Sequence, residues 1–148
     1  MNSSLLWQVR HFVYQHFADT THPPSVDVTA THFNISTEEA SEYYMELNNR
    51  HAFFLDTGTV NIRMAWPFSA VPTDFKVHAN GKTYYANCAW DMLGIPVILQ
   101  SDAVMDAICT ESNDTVQLEI KNGQVTNGDL LIHFPISFSH WYDDLVFT

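Results

Sequence analysis

The segment Asn87-Cys88-Ala89-Trp90-Asp91 sets a thiol three residues before a carboxylate. With Asn87 as N-cap, a helix beginning at Cys88 puts the thiol in its first turn, where unpaired amides and the helix dipole favour the thiolate and lower its pKa. Asp91 then lies on the same face. A soft thiolate beside a carboxylate able to carry a proton suits binding of a soft metal and proton delivery next to it. Spacing alone also fits a blander reading, because free cysteine is among the most buried residue types and a helix-start aspartate commonly faces solvent. The other cysteine, Cys109, ends a predicted strand over 103–109, a setting more often buried and inert, so Cys88 is expected to be the more reactive thiol.

The elements that must position this pair follow from periodicity and turn residues. From Leu5 to Phe17 the apolar residues Leu5, Leu6, Val9, Phe12, Val13 and Phe17 recur at helical spacing, and His22-Pro23-Pro24 ends the run. A short second helix fits Val26 to Phe33. A third opens on Ser36-Thr37-Glu38-Glu39, a capping box, and carries the stripe Ala40, Tyr43, Tyr44 and Leu47. Ala52 to Leu55 and Thr59 to Met64 flank Asp56-Thr57-Gly58 as a hairpin, so residues 1–66 form a winged-helix-like three-helix unit. Beyond Trp66-Pro67, residues 67–148 change to short strands. Phe75 to Ala79 and Thr83 to Ala86 flank the hairpin turn Asn80-Gly81. The Cys88 helix follows and should kink or stop at Pro96, which has no amide to continue the ladder. Ala103 to Cys109, Val116 to Ile120 and Leu130 to Phe134 read as three further strands. The fold class is α+β: the three-helix unit, then a small mixed or antiparallel sheet with one helix packed on it.

Composition narrows the function. Six Lys and Arg against 17 Asp and Glu leave a formal charge of −11, and the basic residues are scattered singly. Residues 1–66 hold three basic residues, Arg10, Arg50 and Arg63, against seven acidic ones, a net of −4. Nucleic-acid affinity rests on neutralising phosphates, so a DNA or RNA partner is excluded despite the winged-helix pattern. The ten Phe, six Tyr and four Trp are then core rather than base-stacking residues. The most apolar stretch, Met92 to Leu99, is interrupted by Gly94 and Pro96 and falls far short of the roughly 20 residues needed to span a bilayer. With no signal peptide legible at the N-terminus, a cytoplasmic location with reduced thiols is expected. Of the eight histidines, His11 and His16 are five apart and share no helix face, His22, His32, His51 and His78 fall in unrelated elements, and His133 and His140 flank Pro135 near Asp143-Asp144; at each position a solvated histidine is a better reading than a metal ligand.

Phe68-Ser69-Ala70-Val71-Pro72-Thr73, followed by Tyr84-Tyr85-Ala86-Asn87-Cys88-Ala89-Trp90-Asp91-Met92-Leu93-Gly94-Ile95-Pro96, resembles the organomercurial (alkylmercury) lyases in residues, order and spacing. The resemblance covers about residues 5 to 148 and is carried most specifically by Cys-Ala-x-Asp at the head of a proline-containing helix. It implies an enzyme that cleaves carbon–mercury bonds of small organomercurials by protonolysis. Cys88 would be the mercury-binding catalytic cysteine and Asp91 the proton-handling aspartate. Cys109 resembles the family's additional, mainly structural cysteine, and is a second thiol that could touch mercury if the fold brings it close. No organic cofactor is implied, and external thiols are the co-reactants. The family's second catalytic cysteine would follow Trp141-Tyr142-Asp143-Asp144-Leu145-Val146-Phe147-Thr148, where this sequence stops. Either the natural protein continues, which the apolar run Leu145-Val146-Phe147 favours, or this homologue works with one catalytic thiol. With that cysteine absent, cleavage is expected to be impaired. The alternative is a non-catalytic protein of the same fold that holds a soft metal or a thiol-reactive ligand at Cys88.

The charge distribution yields the first prediction. In an anisotropy titration with random duplex DNA at physiological salt, no binding is expected up to micromolar protein. Micromolar affinity that weakens steeply with added salt would refute it.

Overall fold

The computed structural model describes residues 2–127 and 129–143 of the 148. By its contacts the chain divides after Pro72 into two compact units. No described helix is long and apolar enough to cross a membrane.

The first unit begins with α1 (Ser3–Thr20), where Asn2 accepts from the amides of Ser4 and Leu5 and so satisfies two orphan donors. Leu6, Val9, Val13 and Phe17 form its buried stripe. Helix α2 (Val26–Phe33) is capped by Ser25, and α3 (Thr37–Asn49) by Ser36, whose hydroxyl accepts from the Glu39 amide at 3.1 Å. The Glu39 carboxylate accepts from the Tyr43 hydroxyl at 3.5 Å. A buried polar contact ties α2 to α3: the Tyr44 hydroxyl donates to the Pro24 carbonyl at 3.1 Å and therefore accepts from the Thr29 hydroxyl at 2.6 Å. Burial pushes the Tyr44 phenol up to about 12. Strands β1 (Phe54–Leu55), β2 (Ile62–Ala65) and β3 (Phe68–Ser69) pair antiparallel in that order. Phe68 stacks on Phe17 with ring centroids 5.3 Å apart, so the start of the Phe-Ser-x-x-Pro-Thr segment is core.

The second unit contains β4 (Lys76–Ala79), β5 (Lys82–Ala86), α4 (Ala89–Leu99), β6 (Ala103–Ile108), β7 (Thr115–Lys121) and β8 (Gln124–Val125). Their order across the sheet is β5-β4-β6-β7-β8, with antiparallel neighbours throughout. Since β5 and β6 both run antiparallel to β4, they are parallel to each other, and β5–α4–β6 is a crossover that skips one strand. Val77, Tyr84 and Met105 share one row of the register and are buried. Ala79, Ala86 and Ala103 are buried small side chains on the same face, over which α4 packs with Met92 and Ile95.

One expectation fails here, and so does half of another. The helix runs through Pro96 to Leu99 rather than stopping there. Pro96 stands in the last turn, where its ring is buried and its carbonyl accepts from the Ser101 amide at 3.2 Å, so the ladder loses only one bond before the helix ends. Leu130 to Phe134 forms no strand; Leu131 is 99% exposed, and burial on one face is what sets a strand's register. The edge position is taken by Gln124–Val125, in a tight turn back from β7.

The turn between β4 and β5 generates the second prediction. Ala79 pairs with Lys82, leaving Asn80 at φ 51° and Gly81 at φ 71° as a two-residue turn, and an added Cβ on Gly81 would meet nothing within 4 Å. The cost of Gly81→Ala is therefore conformational, about 1–2 kcal/mol. A lowered urea midpoint with an unchanged slope is expected. An unchanged midpoint would show that the turn has another conformation.

Candidate active site

Cys88 sits where β5 hands over to α4. The strand ends in a pair of local bonds: the Thr73 hydroxyl donates to the Ala86 carbonyl at 2.6 Å, and the Ala86 amide donates to the Phe75 carbonyl at 2.9 Å. Two residues later Cys88 is still extended, at φ −149° and ψ 175°, and its carbonyl accepts the Met92 amide at 3.2 Å. Cys88 itself, not Asn87, is the N-cap, one residue later than the sequence implied. Its sulfur closes no formal cap hydrogen bond, but the amides of Asp91 and Trp90 face it and favour its anion. Asp91, in the first turn, is only 5% exposed, and its charge acts on the Cys88 thiol.

The electrostatics reverse the expectation drawn from the helix dipole. The Cys88 thiol is pushed up to about 11, first by burial and then by the neighbouring Asp91 charge, against the smaller pull of the two amides. Magnitudes explain the sign. A helix start favours an anion by typically about 0.3–1 kcal/mol, which is less than one pKa unit at about 1.4 kcal/mol per unit. Burial alone can move a thiol by several units, and an adjacent like charge adds to it. Cys88 is thus a neutral thiol at pH 7, beside a buried carboxylate.

Cys109 lies one residue beyond β6, and its amide donates to the Asp114 carbonyl at 2.9 Å as the loop to β7 closes. Its pKa is lowered, chiefly by the Ser112 amide and hydroxyl and the Glu111 amide, against the Glu111 charge. The expected buried, inert strand cysteine is instead a loop thiol held by hydrogen-bond donors. Both thiols are free. Lys76 pairs with Tyr85 on one side and with Asp106 on the other, and Cys88 and Cys109 each stand three residues beyond those partners. The two cysteines therefore lie at the same end of the sheet, on strands separated by β4, roughly 10 Å in strand spacing.

Among the described residues, no group of three or more His, Cys, Asp or Glu could hold a metal ion. His140 pairs with Asp143 at 2.9 Å; Asp144, the other half of the acidic pair, and the segment through Thr148 lie outside the described residues. Sequence reasoning passed over Thr73 as anything but a motif letter, although its hydroxyl fixes the end of β5. It also passed over Trp90, which is 48% exposed beside the pair and meets the Phe134 ring at 6.3 Å.

Thiol labelling tests this geometry. With iodoacetamide near pH 8, Cys109 should label ahead of Cys88, and the Cys88 rate should keep rising toward pH 11 because the thiolate is the nucleophile. Asp91→Asn removes the adjacent anion, so the Cys88 pKa should fall and its labelling at pH 8 should accelerate. Peptide mass spectrometry reads both sites. Faster labelling at Cys88 in the native protein, or no acceleration in Asp91→Asn, would contradict this arrangement.

The comparisons with known proteins bear on family and fold. A family model described as alkylmercury lyase (MerB) matches residues 68–147, more than half of the chain and all of the segment from Phe68 through the Cys88 helix. A solved structure described as the mercury-bound form of MerB2 superposes with a TM-score of 0.66 at 17% sequence identity, covering 85% of this chain and 60% of that one. At that identity the likeness is one of fold, and this chain spans about 60% of that protein's length. No curated protein matches the sequence. On the matched residues, which include Cys88 and Asp91 at the head of their helix, the chain belongs to the alkylmercury lyase family.

Proposed function

We propose that this chain cleaves carbon–mercury bonds in small organomercurials by protonolysis, with Cys88 as the mercury-binding thiol and Asp91 as the proton carrier. The observation that carries this reading is the placement of the Cys88 thiol at the head of α4 beside the buried Asp91 carboxylate, whose charge acts on it. A neutral thiol beside a carboxylate holds both the ligand and the proton that the reaction needs. As an organomercury cation bonds to the Cys88 sulfur, the thiol proton passes to Asp91. Sulfur is a soft donor for a soft metal and raises electron density on the mercury-bound carbon. The carbon–mercury bond then breaks heterolytically: its electron pair stays with carbon, which takes the proton from Asp91 and leaves as the hydrocarbon. Mercury remains divalent on Cys88, and Asp91 is again a carboxylate.

One thiolate is a weak trap for the product ion, so an external thiol completes the cycle by supplying the second sulfur. We accordingly propose a reducing, cytoplasmic setting that keeps Cys88 as a thiol and provides such co-reactants. Cys109 is held in its own loop by Ser112 and Glu111 and is assigned no step. Without external thiol, the same geometry describes a protein that binds an organomercurial and releases little product.

Release of benzene from phenylmercury, or methane from methylmercury, tests the reading. Turnover that depends on added thiol is expected. Cys88→Ser should abolish it, and Asp91→Ala should lower it about 100-fold or more, the scale of general acid–base catalysis. Undiminished turnover in Cys88→Ser would rule out the assignment, and thiol-independent turnover would rule out the single-thiol cycle.

A further inference from the structure

Aromatic side chains gather against the first turn of α4 without joining the core of the second unit. Trp90, two residues after Cys88 and one before Asp91, is 48% exposed, although the residues that follow it are buried. Its ring meets Phe134 edge-on at 6.3 Å; Phe134 stacks on Trp141 at 5.0 Å and 28°, and Trp141 meets Phe138 at 5.0 Å. The Trp141 indole donates to the Ile136 carbonyl at 3.3 Å, which fixes that ring's orientation. Phe138 remains 67% exposed, and Phe134 and Trp141 are half-buried.

Direction decides where this aromatic surface lies. Helical side chains lean toward the helix N-terminus and cover the turn before their own Cα, so Trp90 reaches back over the helix head where Cys88 is the cap. A two-coordinate mercury on the Cys88 sulfur points its organic group directly away from sulfur. Asp91 is buried, and Trp90, whose amide faces the Cys88 sulfur, is the large exposed side chain of the helix's first turn.

Resting on the function proposed above, we infer that Trp90 and Phe134 form a subsite for the organic group of the substrate, selecting arylmercury compounds over methylmercury. A phenyl ring on mercury adds an offset or edge-on contact to the Trp90–Phe134 pair and covers ring surface now facing water, whereas a methyl group reaches neither. Aromatic pairs of this kind change affinity by up to about tenfold beyond simple area burial.

The test uses the full chain with Cys109→Ser, which confines mercury to Cys88, and Asp91→Ala, which removes the proton carrier so that bound organomercurial stays intact. Affinities for phenylmercury and methylmercury are measured by competition with glutathione, reading the adduct by native mass spectrometry. A preference for phenylmercury is expected, falling about five- to tenfold in Trp90→Ala or Phe134→Ala. It should persist in Trp90→Phe and fall in Trp90→Leu, which keeps apolar bulk without the ring face. An unchanged preference in Trp90→Ala and Phe134→Ala would overturn the subsite and show that the aromatic contacts only pack the C-terminal segment on α4. If neither compound forms an adduct at Cys88, the functional reading fails and the subsite fails with it.

Discussion

Two acidic groups share the head of α4, in a place too poorly solvated for both to be ionised. Asp91 is nearly fully buried, and burial and the Asp91 charge together make Cys88 keep a proton that an exposed cysteine would lose at high pH. The arrangement costs free energy relative to an apolar pair, because a desolvated carboxylate needs partners. In the reaction proposed above its value lies in poise: the thiol proton has a carboxylate beside it to pass to when a soft cation displaces it from sulfur. The helix amides matter in a secondary way. They stabilise negative charge at this position without overcoming burial, so the thiol rests protonated.

The rest of the second unit serves that placement. Cys88 must be extended like the strand before it yet cap the helix after it, and the β5–α4–β6 crossover supplies this junction. Alanines at 79, 86 and 103 leave room for α4 to lie close on the sheet, while Val77, Tyr84 and Met105 fill the row between them. The Thr73 hydroxyl takes the Ala86 carbonyl, so the chain leaves the sheet at a defined point two residues before the thiol. Register places Cys109 at the same end of the sheet but across β4, where its own loop amides hold it.

Much of this was legible in the residues. The stripes of α1 and α3, the Ser36 cap and the Asn80-Gly81 turn are local signals, and local bonds enforce them in the structure. The Cys-Ala-x-Asp segment heads a helix, as its residues imply. What could not be read was the sign of the thiol shift, because it depends on how deeply Cys88 and Asp91 are covered, a property of the whole sheet and helix packing. The cap position moved by one residue for a related reason: Asn87 is a better cap by type, but the end of β5 fixes where the chain turns. Leu130 to Phe134 misled because an apolar run carries no information about whether a neighbouring strand edge is available to pair with it, and this one remains exposed.

The protonation state of Cys88 bears on all of this most directly. With cysteine labelled at 13Cβ, the NMR shift of Cys88 followed against pH reads its ionisation without a reactive probe. A midpoint near about 11 in the native chain is expected, with Cys109 titrating below the ordinary cysteine value. A Cys88 midpoint at or below that ordinary value would mean that the helix head holds a thiolate, and that the proton for the carbon must come from elsewhere.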